Sequence, residues 1–168
     1  MNRDQEYMQK ALAEARRAMA GGEFPVGCII VYGDRVVSRG RRFNSRGETA
    51  NEMDHAEISA LSRLLTDHPE IAPGDVTVYA TMEPCLMCYT TMLLNGIRRV
   101  VYAYEDAMGG GTDLDLSSLK PLYQQMKVEI IPQVCRSESL ELFRAFFNNP
   151  DNDYWQESLL AEYTLRQS

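Results

Sequence analysis

The chain has 168 residues, 45% of them hydrophobic and 24% charged, which is ordinary for a globular protein and enough for one buried core. No apolar run approaches the roughly 20 residues needed to cross a bilayer, so no membrane-spanning helix is expected. The net charge of −7 argues against a large nucleic-acid partner, because proteins that hold phosphate backbones usually carry a basic face or tail.

Residues 3–20 repeat Tyr7, Met8, Ala11, Leu12, Ala15 and Met19 at helical spacing, and Gly21-Gly22 stops the helix. This amphipathic start carries Arg3, Lys10, Arg16 and Arg17 without the apolar stretch of a signal peptide, so the cytoplasm is the expected location. Residues 26–32 are almost continuously apolar, Gly33-Asp34 turns the chain, and 35–39 return it as a hairpin with a buried first strand. Residues 43–53 are polar and irregular, a loop. Residues 55–65 read as a helix with Ile58, Leu61 and Leu65 inward. A strand over 76–81 leads to a helix over 85–95 closed by Gly96, then to a strand over 99–104. A loop with Gly109-Gly110-Gly111, a short helix over 119–125 and a strand over 128–131 follow. Ser137 is placed to cap a helix whose Leu140, Leu142, Phe143 and Phe146 face inward. Residues 148–153 break it, and a last helix runs over 154–166.

Strands alternating with helices after an opening hairpin give an α/β layered architecture. There is no internal repeat, low-complexity stretch or linker, so residues 1–168 are expected to form a single domain.

Two short motifs carry chemistry, each at the start of an expected helix. One is His55-Ala56-Glu57; the other is Pro84-Cys85-Leu86-Met87-Cys88, preceded by Glu83. Two cysteines three apart share a helical face and can bind one ion, and a helix N-terminus favours the thiolate that zinc requires. With His55 they make three protein ligands for one zinc per chain, leaving the fourth position open, as catalytic zinc sites do. Glu57 points differently from His55, so it can stand beside the open position and move protons. A redox Cys-x-x-Cys is the competing reading, but it leaves His55 and Glu57 without a role. A closed structural zinc would draw a fourth ligand from Cys28, Cys135 or His68, each of which has an ordinary reading as core, connection or turn residue.

His-x-Glu followed by Pro-Cys-x-x-Cys resembles the signature of the zinc-dependent nucleobase deaminases of the cytidine/deoxycytidylate deaminase superfamily. Glu23-Phe24-Pro25-Val26-Gly27, Met82 through Cys88, and Val100 through Asp106 with Ala107 are similar to segments of bacterial tRNA-specific adenosine deaminases. The likeness extends from Tyr7 to Phe147. It implies a three-layer α/β/α cytidine-deaminase-like domain with a five-stranded mixed sheet, and a homodimer whose partner helps close the site. It also implies that Asn44 reaches the base, that the Ala56 backbone N–H contacts the ring, and that the Glu83 carbonyl meets the leaving amine. Phe24 and Asp106 line the pocket or serve core packing and loop capping; Trp155, the one tryptophan, is a core anchor or a lid. Asp54 caps the helix or braces the zinc site.

The periphery departs from that pattern. Ala107-Met108-Gly109 stands where the tRNA enzymes usually carry a lysine, and their basic C-terminal helix is replaced by an acidic, aromatic stretch over 148–157. That stretch is more similar to the closing segment of small cytosine and guanine deaminases, making residues 150–168 a candidate lid. The expected activity is hydrolytic removal of the exocyclic amine of a free base or nucleoside of cytosine, guanine or adenine type. Wobble deamination of tRNA is the alternative, and an inactive zinc-stabilised interaction module a remote third, against which the intact Glu57 argues.

Overall fold

The computed structural model describes residues 1–167; Ser168, the end of the candidate lid, lies outside the described residues. α1 (Arg3–Ala20) starts at Asn2, whose side chain accepts from the Gln5 N–H while Gln5 accepts in return from the Asn2 N–H, a capping box. β1 (Gly27–Tyr32) and β2 (Arg35–Arg41) form the expected antiparallel hairpin, with a bulge between Ile30 and Val31. β3 (Val76–Met82) pairs antiparallel with β1. β4 (Arg99–Tyr104) and β5 (Glu129–Ile131) then add in parallel, so the mixed sheet runs β2-β1-β3-β4-β5.

Alternation along the strands splits the core in two. Ile29, Val31, Tyr79, Val101 and Ala103 pack against α1. Cys28, Ile30, Val78, Val100 and Tyr104 join the cluster that includes α2 (Ala56–Asp67) and α3 (Leu86–Leu94). α5 (Arg136–Asn148) lies along α1 and β4, and its Phe143 and Phe146 meet Phe24 at 5.2 Å each. The result is the α/β/α layering expected of this sequence.

Two glycines let backbones touch. A Cβ on Gly27 would meet Ala11 O of α1 at 2.3 Å, and one on Gly40 would meet Ala56 O of α2 at 2.1 Å. Gly40 therefore seats the first turn of α2 directly on β2.

Four local expectations change. In α2 the buried stripe is Ala56, Glu57, Ala60, Leu61 and Leu64, while Leu65 is 42% exposed. The helix is rotated from its expected phase because charged Glu57 faces inward. The 119–125 helix shortens to α4 (Pro121–Gln124), with Pro121 at its first position and a 3₁₀ turn at Leu116–Ser118 before it. Cys135, in the left-handed region at φ 57°, rather than Ser137, stands at the start of α5. The last helix, α6 (Leu159–Arg166), begins five residues later than expected, capped by Ser158, because Trp155 and Glu157 adopt left-handed φ values of 55° and 59°. α6 is anchored by Leu160 and Ala161 in the core and by Tyr104 Oη, 3.0 Å from Thr164 Oγ1. Tyr163 donates to Glu105, which also holds Arg136. No helix among the described residues is long and apolar enough to cross a membrane.

Candidate active site

His55 is the N-cap of α2 and Cys85 the N-cap of α3, with Cys88 one turn further on. The two helix starts face each other, bringing His55 Nδ1 to 3.6 Å from Cys85 Sγ and 3.4 Å from Cys88 Sγ. Tetrahedral zinc, with bonds of about 2.3 Å to sulfur and about 2.0–2.1 Å to nitrogen, places such atoms about 3.6 Å apart, so the donor set fits that ion. Among the described residues His55, Cys85 and Cys88 are the one such cluster; Cys28, Cys135 and His68 do not join it. A three-ligand site therefore replaces the closed, structural alternative.

The Cys88 side chain draws the Cys85 thiol down to about 4, with burial opposing and His55 assisting, while Cys85, burial and Glu57 drive Cys88 upward. Thiolate ligands release their protons on binding a divalent cation. Glu57 is buried, with Oε2 3.6 Å from Cys88 Sγ. Burial raises its carboxyl to about 6, against the pull of His55, leaving a group able both to take and to give a proton near neutrality.

Beside these residues lies a cleft of about 240 Å³ with a largely apolar wall that includes Phe24, Val26, Met82 and Met87. Phe24, Ala56, Glu83, Asp106 and Trp155 all line it, as do His55, Glu57 and Cys85. Ala56 N–H belongs to the first turn of α2, whose amides have no intrahelical acceptors. The Glu83 carboxylate accepts from Asp106 N–H at 3.1 Å and from Thr112 N–H at 3.3 Å, tying down the loop beside the site. Asp106 folds that loop by accepting from Met108 and Gly109 N–H at 3.0 and 2.9 Å.

Asn44 is not among the residues lining the cleft; its amide donates to Asp54 Oδ2 at 2.7 Å and accepts from Thr49 at 2.9 Å. Asp54 neither caps α2 nor touches the cluster; it holds the loop through Asn44 and Asn51. Besides apolar lining such as Met82 and Met87, sequence reasoning missed the three polar residues Arg42, Glu52 and Tyr154 on the wall. Glu52, three residues before His55, is 3.2 Å from its Nε2, and Tyr154 hydrogen-bonds Glu52 from 102 residues away. A carboxylate three residues before a ligand, in the loop that leads into it, was a usable signal for Glu52; nothing local marks Tyr154.

Residues 1–104 match the cytidine and deoxycytidylate deaminase zinc-binding region, and the chain belongs to that family. It is a zinc-dependent hydrolase acting on a C–N bond. "tRNA-specific adenosine deaminase 2" of Xenopus laevis is 34% identical over 161 residues, covering 88% of this chain and 89% of the relative. A solved structure from a study of A-to-I editing by tRNA deaminases at the wobble position superposes with a TM-score of 0.70 at 28% identity, covering 82% of this chain and 98% of the other. A guanine deaminase from Nitrosomonas europaea has TM-score 0.67 at 16% identity over 84% and 82% of the two chains, and shares the fold.

These relatives overturn the expectation of a free base or nucleoside as substrate, with tRNA disfavoured. In the structure the C-terminal segment does reach the cleft, through Tyr154, Trp155 and Leu160, while Asp151, Asp153, Glu157 and Glu162 are exposed and none lines it.

Proposed function

We propose that this chain deaminates adenosine to inosine at the wobble position of tRNA. The carrying observation is the 34% identity to a tRNA-specific adenosine deaminase across nearly the whole length of both chains, joined to an intact His55, Glu57, Cys85 and Cys88 constellation. Away from the cleft wall, Arg17, Arg39 and Arg41 approach the buried Glu14 carboxylate at 2.6, 3.6 and 3.7 Å, a positive patch of three half-exposed guanidinium groups across α1 and β2 within a chain of net charge −7.

His55, Cys85 and Cys88 hold the zinc, which supplies a Lewis acid able to make water nucleophilic near neutral pH. Glu57 would take one proton from the attacking water and return it to the ring nitrogen beside the amine, then take the second from the hydroxyl formed on the ring carbon and pass it to the amine, which leaves as ammonia while the carbonyl forms. The Ala56 N–H and the Glu83 carbonyl bind the ring and the leaving amine, while Phe24, Asp106 and Trp155 hold the flipped base and exclude water. Residues 1–168 act as one deaminase domain whose C-terminal segment walls the cleft through Tyr154, Trp155 and Leu160. Leu86 and Leu94, 53% and 56% exposed on α3 beside the site, suit burial against a second copy in a homodimer.

Purified zinc-loaded protein, incubated with tRNA transcripts bearing adenosine at the wobble position, is expected to form inosine, read as guanosine after reverse transcription. A parallel panel of free bases and nucleosides, followed by ammonia release, is expected to be inert. Ammonia from a free base with no inosine in tRNA would reverse the reading.

A further inference from the structure

His55 meets the two sulfurs through Nδ1, so the ring proton belongs on Nε2. That nitrogen lies 3.2 Å from Glu52 Oε2. The Glu52 side chain is 60% exposed, and a lone carboxylate on a loop would hold no fixed direction. It is held here by Tyr154, whose hydroxyl donates to Oε1 and Oε2 at 3.0 and 2.9 Å, and by Arg42 Nη2 at 3.6 Å. The Tyr154 ring in turn packs against the tilted Phe24 ring at 4.9 Å between centroids and under the Arg42 guanidinium at 5.5 Å. Arg42 is buried and donates to the carbonyls of Asn51 and Asp54, pinning the loop that delivers Glu52. A continuous path thus runs from the C-terminal segment to the zinc ligand.

We propose that Glu52 and Tyr154 are positioning residues for the zinc: Tyr154 orients Glu52, and Glu52 fixes the tautomer and ring plane of His55. Docking of the C-terminal segment is thereby coupled to metal retention. Outer carboxylates of this kind are worth about 10–100-fold in metal affinity or activity. The inference rests on the three-residue zinc cluster and not on the tRNA reading, so it stands or falls separately from the substrate.

The test is zinc release from reconstituted protein into excess colorimetric chelator, measured for wild type, Glu52→Gln, Tyr154→Phe and the double variant. Glu48→Gln, an exposed carboxylate in the same loop, is the control. Tyr154→Phe keeps the ring and its packing and removes only the hydroxyl, so it remains informative if Glu52→Gln folds poorly; thermal melting of zinc-saturated protein monitors that. Glu52→Gln is expected to release zinc about 10–100 times faster. Tyr154→Phe should release it several-fold faster, and the double variant no faster than Glu52→Gln alone, because Tyr154 acts only through Glu52. In cobalt-substituted protein the visible bands should shift for Glu52→Gln and not for Glu48→Gln. Release from Glu52→Gln within twofold of wild type overturns the proposal, as does a Tyr154→Phe effect that adds fully to that of Glu52→Gln.

Discussion

Gly40 sets where His55 and Glu57 stand, though it lies on a strand and does not line the cleft. An alanine there would place its Cβ 2.1 Å from Ala56 O and 2.8 Å from Ala60 N. Ordinary contact begins near 3.4 Å, so the first turn of α2 must retreat by roughly 1 Å, carrying His55 and Glu57 with it. Displacement of that size in a reacting constellation costs about 10²-fold in rate, and overpacking a dense interior costs about 1–3 kcal/mol. Gly27→Ala separates the two effects. Its Cβ would strike α1 at 2.3 Å from Ala11 O and 2.5 Å from Ala15 N, a comparable clash on the opposite face of the sheet. Both variants should melt lower, by about 2–4 °C for each kcal/mol lost. Only Gly40→Ala should lose kcat/KM for inosine formation by about 10²-fold and release zinc faster to a chelator. Equal activity and equal zinc release in the two variants would refute the argument that β2 sets the position of His55 and Glu57.

Glu57→Gln should keep its zinc, by metal analysis, and lose turnover by at least about 10²–10⁴-fold, since one carboxyl serves several proton transfers. Cys88→Ala should strip the metal, whereas Cys28→Ser in the core and Cys135→Ser at the start of α5 should retain it; full zinc in the Cys88 variant would sink the three-ligand site. Asp4 tests a structural ion pair by pH. The Arg99 guanidinium, hydrogen-bonded at 2.9 Å, holds its carboxyl below the ordinary 3.8, so the carboxylate stabilises the fold above that value and the contribution is lost as pH falls. Asp4→Asn should therefore cost about 1 kcal/mol in chemical denaturation at pH 7, a difference that disappears in acid below the native Asp4 value.

The elements legible in the sequence were those whose signals are local. The stripe of α1 ends where Gly21-Gly22 stops it, the β1–β2 hairpin turns on Gly33-Asp34, and α3 ends before Gly96 at a left-handed φ of 85°. The C-terminal segment resisted reading because its conformation is fixed from a distance. Trp155 and Glu157 are poor choices for left-handed backbone by composition. The neighbouring Tyr154 is held by Glu52, Phe24 and Arg42, all more than a hundred residues earlier.

At the site, His55, Glu57, Cys85 and Cys88 were legible because zinc chemistry admits few residue types and fixes their spacing. The phase of α2 was misread. Leu65 was placed inward as an apolar residue in the stripe with Ile58 and Leu61, whereas the inward positions of α2 include Glu57, whose carboxyl burial raises, and Leu65 is 42% exposed. The substrate was misread because net charge is a sum over the chain, while a partner meets a local field. Asp151, Asp153 and Glu157 dominate the tail in sequence but lie exposed off the cleft wall. Arg17 is separated by more than twenty residues from Arg39 and Arg41, and the three gather around Glu14 only once α1 has packed across β1 and β2. That local positive patch, invisible in the net charge, is thus a product of the fold.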